Sequence, residues 1–271
     1  MKSLKVILTV LFFIAFAGSV YYLNNKMIKR TNNQIKSLNE SVLQLKSEVL
    51  KAVPVPLGHW HHNIRIFMIK AQGGQVEDDC ILLIGDSITE GIYMDRISGL
   101  PVLNAGVGGA GVSFFYDNLK DLLSTVKKPV VAIIALGVND ATLSVPSPHE
   151  KYVSTWIKQY ESIVNQVRKT GAEPVLMTIL PVGKDMPLGN KYFNTDLLNK
   201  LNDSIRDLAA KDKLILSDSN KTLSGSDGFI KKGLTVDGVH LTSEGYKIWK
   251  EDIVKGIKTA VDKKGVKSSG K

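Results

Sequence analysis

The chain has 271 residues, enough for one α/β domain of about 200 residues and an appendage. Its formal charge of +9 sits in the flanks: residues 1–52 carry +6 (eight Lys/Arg against Glu40 and Glu48) and residues 263–271 carry +4, which leaves −1 for residues 53–262. A near-neutral folded part without a basic, aromatic-interleaved face excludes nucleic acid as an expected partner. The single cysteine, Cys80, excludes an intrachain disulfide and a CxxC zinc site.

In chain order, Lys2 and Lys5 precede the uncharged run Val6–Leu23, and Lys26, Lys29 and Arg30 follow it. As a helix this run spans about 27 Å, the thickness of a bilayer's hydrocarbon layer. Residues 1–30 are therefore read as a transmembrane signal anchor, with the N-terminus cytoplasmic and the bulk of the chain exported. Cleavage after Ala15-Phe16-Ala17 is the alternative, and it would leave a secreted protein. A basic flank beside a membrane segment suits anionic lipid or cell-wall polymer.

Residues 31–58 follow as a short amphipathic stalk helix and a Pro linker. Ile35, Leu38, Val42, Leu45, Val49 and Ala52 fall on alternating a and d positions. Such a stripe either packs on the domain or self-associates into a homo-oligomeric coiled coil. Val53-Pro54-Val55-Pro56-Leu57-Gly58 is expected to end the helix as a stiff linker.

The domain is placed at residues 59–262, with the β-then-α pattern starting near residue 75. Cys80–Ile84, Pro101–Ala105, Val130–Leu136, Pro174–Leu180 and Lys213–Leu216 read as strands buried on both faces, with Cys80 a buried, inert thiol. Helical stretches are clearest at His149–Lys169, Thr195–Ala210 and Ser243–Val261, with His149 expected at the surface. The alternation predicts a five-stranded parallel sheet with helices on both faces and chemistry beyond the C-terminal strand ends. Residues 263–271 are expected to form a basic disordered tail.

The segments just past the strands carry the chemistry. Gly85-Asp86-Ser87-Ile88-Thr89 puts Ser87 at a turn into a helix, with its hydroxyl exposed and its N–H free for an oxyanion. Asn104-Ala105-Gly106-Val107-Gly108-Gly109 lets backbone approach a ligand, and Gly137-Val138-Asn139-Asp140 offers a side-chain amide. Asp237-Gly238-Val239-His240 places a carboxylate three residues before an imidazole, ahead of the last helix.

Taken together, these segments resemble the four blocks of the SGNH/GDSL hydrolase (esterase/lipase) superfamily, in order, over residues 78–262. Ile88 stands where that family's name has Leu. The resemblance implies a three-layer α/β/α flavodoxin-like fold and a carboxylic ester hydrolase that needs no metal or organic cofactor. Carried over, Ser87 is the nucleophile, His240 the general base and acid, and Asp237 the residue that orients the imidazole. The N–H groups of Ser87 and Gly109 with the Asn139 amide form the oxyanion hole. Asp86 and Asp140 are expected to shape loops. The implied substrate is a short-chain acyl ester, such as an O-acyl group on envelope carbohydrate or lipid. Loops Lys184–Tyr192 and Ser224–Gly233 are expected to line its site. Two alternatives stay open: an acyltransferase with the same triad, and a non-catalytic, membrane-tethered binding protein.

Other motifs compete. Gly106-Val107-Gly108-Gly109-Ala110-Gly111 satisfies G-x-G-x-x-G, but it comes after the second strand, and no acid ends the next one. His59, His61 and His62 around Trp60 suggest a metal, yet their spacing puts them on different helix faces. Sequons at Asn39, Asn202 and Asn220 would matter only in a eukaryotic secretory pathway.

Overall fold

The computed structural model describes residue 19, residues 21–42 and residues 57–265, and divides the chain into a unit over 1–57 and a unit over 58–271. In the first unit, helix α1 is described over 21–42. Tyr21, Tyr22, Leu23, Ile35, Leu38 and Val42 are exposed on it. Most of the run Val6–Leu23, together with Leu45, Val49 and Ala52, lies outside the described residues. Among the described residues no helix is long and apolar enough to cross a membrane.

The second unit opens with helix α2 (Leu57–Gly73), so the linker expected to run to Gly58 gives way to helix. No proline interrupts the stretch, and the helix ends at Gly73-Gly74, where backbone freedom favours a stop. Strand β1 (Ile81–Gly85) is next, buried along its whole length. It pairs in parallel with β3 (Leu100–Gly106) and β4 (Val131–Ala135), in the registers Gly85↔Gly106 and Gly85↔Ala135. β5 (Glu173–Met177) and β6 (Ile215–Ser217) extend the sheet in parallel beyond β4.

The five expected strands are present. A sixth, β2 (Arg96–Ile97), corrects the count: it pairs antiparallel with β3, giving the order β2-β3-β1-β4-β5-β6. Sequence patterning cannot register a two-residue edge strand, because it has no repeat to display. The parallel part runs in the doubly wound order seen in flavodoxin-like folds.

Helices α4 (Val112–Leu123), α5 (Glu150–Lys169) and α6 (Thr195–Lys211) pack side by side over one face of the sheet, while α8 (Ser243–Lys264) lies against β4, β5 and β6 on the other. Their apolar stripes explain the placement. On α5, Trp156, Tyr160, Ile163, Val164 and Val167 recur at helical spacing and are buried, as are Leu197, Leu201, Ile205 and Leu208 on α6. Burying each such side chain contributes about 1.5–3 kcal/mol.

Two short helices, α3 (Ser87–Glu90) and α7 (Ser219–Leu223), come directly after β1 and β6. His149, expected at the surface, is buried at the start of α5, with its Nε2 3.3 Å from the Ser147 hydroxyl. Asn202 is no glycan acceptor in this fold. It is 1% exposed, and its amide both accepts from Ile179 N–H (2.7 Å) and donates to Ile179 C=O (3.0 Å).

Candidate active site

Three neighbouring parallel strands end in loops that carry polar groups. After β1, Asp86 caps α3 by accepting a hydrogen bond from Ile88 N–H at 2.9 Å, which makes Ser87 the first residue of the helix. The Ser87 N–H is then one of the first-turn donors that a helix cannot satisfy internally. After β3, the chain passes close to α3: a Cβ on Gly106 would stand 2.3 Å from Glu90 N. Three residues on, Gly109 adopts φ +74°, which favours glycine, and its N–H meets no acceptor among the described residues. After β4, a 3-10 turn, Val138–Asp140, presents Asn139. One N–H of that amide donates to Ala110 C=O at 3.0 Å, tying the turn to the Gly109 loop and leaving its second N–H to point elsewhere.

The fourth segment leads into α8. Asp237 Oδ1 accepts from Val239 N–H and His240 N–H, both at 2.9 Å, which closes a tight local turn. Its other oxygen lies 2.6 Å from His240 Nδ1, and His240 Nε2 lies 2.9 Å from Ser87 Oγ. The structure thus brings Ser87, His240 and Asp237 into one hydrogen-bonded line across 153 residues of sequence. Burial works to raise the Asp237 carboxyl, but hydrogen bonds from the His240 ring and the two N–H groups outweigh it and hold it below the usual carboxylate range. An ionised Asp237 fixes the imidazole proton on Nδ1, so the Nε2 lone pair faces the Ser87 hydroxyl.

Asp86 and Asp140 behave as loop formers. Burial pushes Asp86 up to about 7 despite its bond from Ile88 N–H. Asp140 accepts from Val112 N–H at 3.2 and 3.1 Å, capping α4, and burial raises it as well.

His61 and His62, on α2, are each engaged by a single hydrogen-bond partner. His61 Nε2 lies 2.9 Å from Glu90 Oε2, and His62 Nε2 lies 3.0 Å from Gly108 C=O. Among the described residues no group of three or more His, Cys, Asp or Glu side chains could hold a metal ion. Glu90, Arg65 and these histidines were missed as a site group, because nothing in their spacing links α2 to the Gly106–Gly109 loop.

A cavity of about 660 Å³ opens between two loops and reaches Thr235, two residues before Asp237; Ser87, Asp237 and His240 do not line it. Lys184 and Met186 line it from one loop, Asp227 and Lys232 from another, and Thr235 from the approach to Asp237. Gly183 N–H donates to Gly238 C=O at 2.7 Å, and Leu188 N–H donates to Asp237 C=O at 3.0 Å, joining the first loop to the turn.

A parallel α/β sheet with a Ser–His–Asp line at its C-terminal edge is the arrangement of a carboxylic ester hydrolase of the SGNH type. Residues 83–248 match the family described as GDSL-like Lipase/Acylhydrolase, and the chain belongs to that family. Over 174 residues it is 29% identical to the human platelet-activating factor acetylhydrolase IB subunit alpha2, covering 61% of this chain and 70% of that protein. Over 207 residues it is 24% identical to the isoamyl acetate-hydrolyzing esterase of Saccharomyces cerevisiae, covering 66% and 85%. It is also 25% identical over 178 residues to an Escherichia coli N-acylneuraminate cytidylyltransferase, of whose length it spans 40%. Among solved structures, a GDSL-like lipase from Bacteroides thetaiotaomicron shares the fold with a TM-score of 0.58 at 20% identity, over 72% of this chain and 98% of that one.

Proposed function

We propose that the protein is a serine esterase in which Ser87 attacks the acyl carbonyl, His240 accepts its proton and returns one to the leaving alcohol, and Asp237 stabilises the imidazolium. The observation that carries this reading is the continuous line of 2.9 and 2.6 Å contacts from Ser87 through His240 to Asp237. The tetrahedral intermediate's oxygen is stabilised by the Ser87 and Gly109 N–H groups and the Asn139 amide. The His240 side chain is 40% exposed, so water can reach the imidazole and deacylate the enzyme.

Short acyl groups are the proposed substrates, in keeping with the acetate and acetylhydrolase names of the two eukaryotic relatives. The cavity beside the Asp237 turn is the proposed site for the alcohol part of the ester, and its size and lysine-bearing rim suit a carbohydrate or a lipid head group of the cell envelope. We further propose that the run Val6–Leu23 anchors the protein in the membrane with the esterase domain outside the cytoplasm, supported by the length of that uncharged run and its basic flanks.

The test compares the full chain with its Ser87→Ala variant on nitrophenyl esters from acetyl to dodecanoyl, with fluorophosphonate labelling in parallel. Activity and labelling on the parent alone, highest for acetyl, are expected. Equal activity in both proteins would overturn the reading, and new esters formed on added alcohols would move it to acyl transfer.

A further inference from the structure

Glu90 lies at the end of α3, three residues past Ser87, and its carboxylate holds neighbours from two other elements. Oε2 accepts from Gly108 N–H at 2.6 Å and lies 2.9 Å from His61 Nε2; Oε1 lies 3.4 Å from Arg65 Nε. Arg65, 9% exposed, donates from Nε and Nη2 to Gly106 C=O at 2.9 and 2.8 Å and from Nη2 to Asn104 C=O at 3.2 Å. His62, its ring tilted against Phe114 of α4 at 4.8 Å, meets Gly108 C=O at 3.0 Å.

The other backbone groups of the loop are engaged too. Gly106 N–H donates to Asn104 Oδ1, Val107 N–H to Gly85 C=O, and Val107 C=O accepts from Ala110 N–H. From Gly106 to Gly108, every backbone donor and acceptor is therefore tied down. The first free donor is the Gly109 N–H, at the residue with φ +74°.

We propose that Glu90, braced by Arg65 and His61 of α2, is a positioning residue of the esterase: by holding Gly108 N–H it fixes the Val107–Gly108 peptide and so the start of the next one, whose C=O meets His62 and whose N–H, that of Gly109, is aimed at the oxyanion. The inference rests on the serine-esterase reading. A carboxylate suits the task because its bond to an N–H is charge-assisted and stiff, and because a buried guanidinium at 3.4 Å needs an opposite charge. Glu90 touches no substrate in this scheme; it acts through the loop. Oxyanion stabilisation depends on donor geometry, and a misplacement of about 1 Å costs roughly 10²-fold in rate.

The test measures kcat and KM for nitrophenyl acetate on the full chain, beside Ser87→Ala. Glu90→Ala is expected to lower kcat about 10- to 100-fold with KM little changed. Glu90→Gln keeps an acceptor for Gly108 N–H but not the charge beside Arg65, and is expected to recover part of the loss. If Glu90→Ala does not fold, Glu90→Asp replaces it: the charge stays near Arg65, but the side chain is too short for Gly108, and the same fall in kcat is expected. A kcat within about twofold of the parent for Glu90→Ala or Glu90→Asp, or a Gln variant no better than the truncated one, overturns the proposal. If Ser87→Ala keeps the activity, the esterase reading itself fails; if Ser87→Ala is inactive and the Glu90 variants are intact, only the positioning role fails.

Discussion

The Asp237–His240 turn and the Gly106–Gly109 loop are held by opposite means. The turn's side-chain bonds are local: one carboxylate takes two N–H groups and an imidazole within four residues, with 30% of the Asp237 side chain and 40% of the His240 side chain exposed. The loop depends on distant chain, receiving Arg65, His62 and Glu90 from elements separated from it by 18 to 46 residues. From afar the turn receives only backbone bonds, from Gly183 N–H and Leu188 N–H, whereas the loop is only as well placed as the side chains that α2 and α3 bring to it. The proposed proton relay and the proposed oxyanion hole therefore differ in what can disturb them.

The sharpest way to break this contrast is at the relay. Ser87→Ala or His240→Ala is expected to lower kcat by about 10⁴–10⁶-fold, and Asp237→Asn by about 10²–10⁴-fold, with thermal midpoints near the parent. Loss of folding in Asp237→Asn, seen by circular dichroism, would show that the turn is less self-sufficient than its hydrogen bonds imply. On the loop side, Asn139→Ala is expected to cost about 10²–10³-fold in kcat, the usual effect of one oxyanion donor. An unchanged kcat would remove Asn139 from the hole and leave its bond to Ala110 as its whole role.

Smaller effects are expected at Gly109 and Asp86. Gly109→Ala has room, since its Cβ meets only His62 Nε2 at 3.9 Å, so the left-handed φ alone should cost about 1–2 kcal/mol. Urea titration measures that cost, and a larger loss would mean that the loop tolerates no shift. Asp86, raised from 3.8 to about 7 by burial, binds a proton in the folded state that the unfolded chain has already lost. Its contribution is therefore favourable below about pH 4 and falls as pH rises towards 7. Asp86→Asn keeps an acceptor for Ile88 N–H and is expected to raise the thermal midpoint by a few degrees at pH 9 and little at pH 5. A drop at pH 9 would show that the ionised carboxylate is stabilised by its neighbours.

The same contrast explains what the amino-acid sequence discloses. Asp237 and His240 are legible because their partnership is written in three residues of spacing, and Ser87 because a strand-to-helix turn presents it. Strands β1 and β4 are legible because burial on both faces leaves short runs of Val, Ile, Leu and Ala. Glu90 is not, since its meaning depends on residues of α2 whose approach only tertiary packing decides. α2 itself buries Ile69 almost fully and Arg65 to 9% exposure, a mixed stripe that hydrophobic periodicity does not register. His149 misleads for the same reason: a polar side chain after proline suggests solvent, and its burial depends on the elements folded over it.

Cys80 stands immediately before β1, with no exposed surface, and burial pushes its thiol up to about 11. It is the chain's only sulfhydryl, so in the native domain it is both shielded and protonated at neutral pH. An alkylating reagent can reach it only when the chain around the start of β1 opens. The protein thus carries an intrinsic clock: the rate at which its single thiol is trapped reports how often the structure around the start of β1 opens.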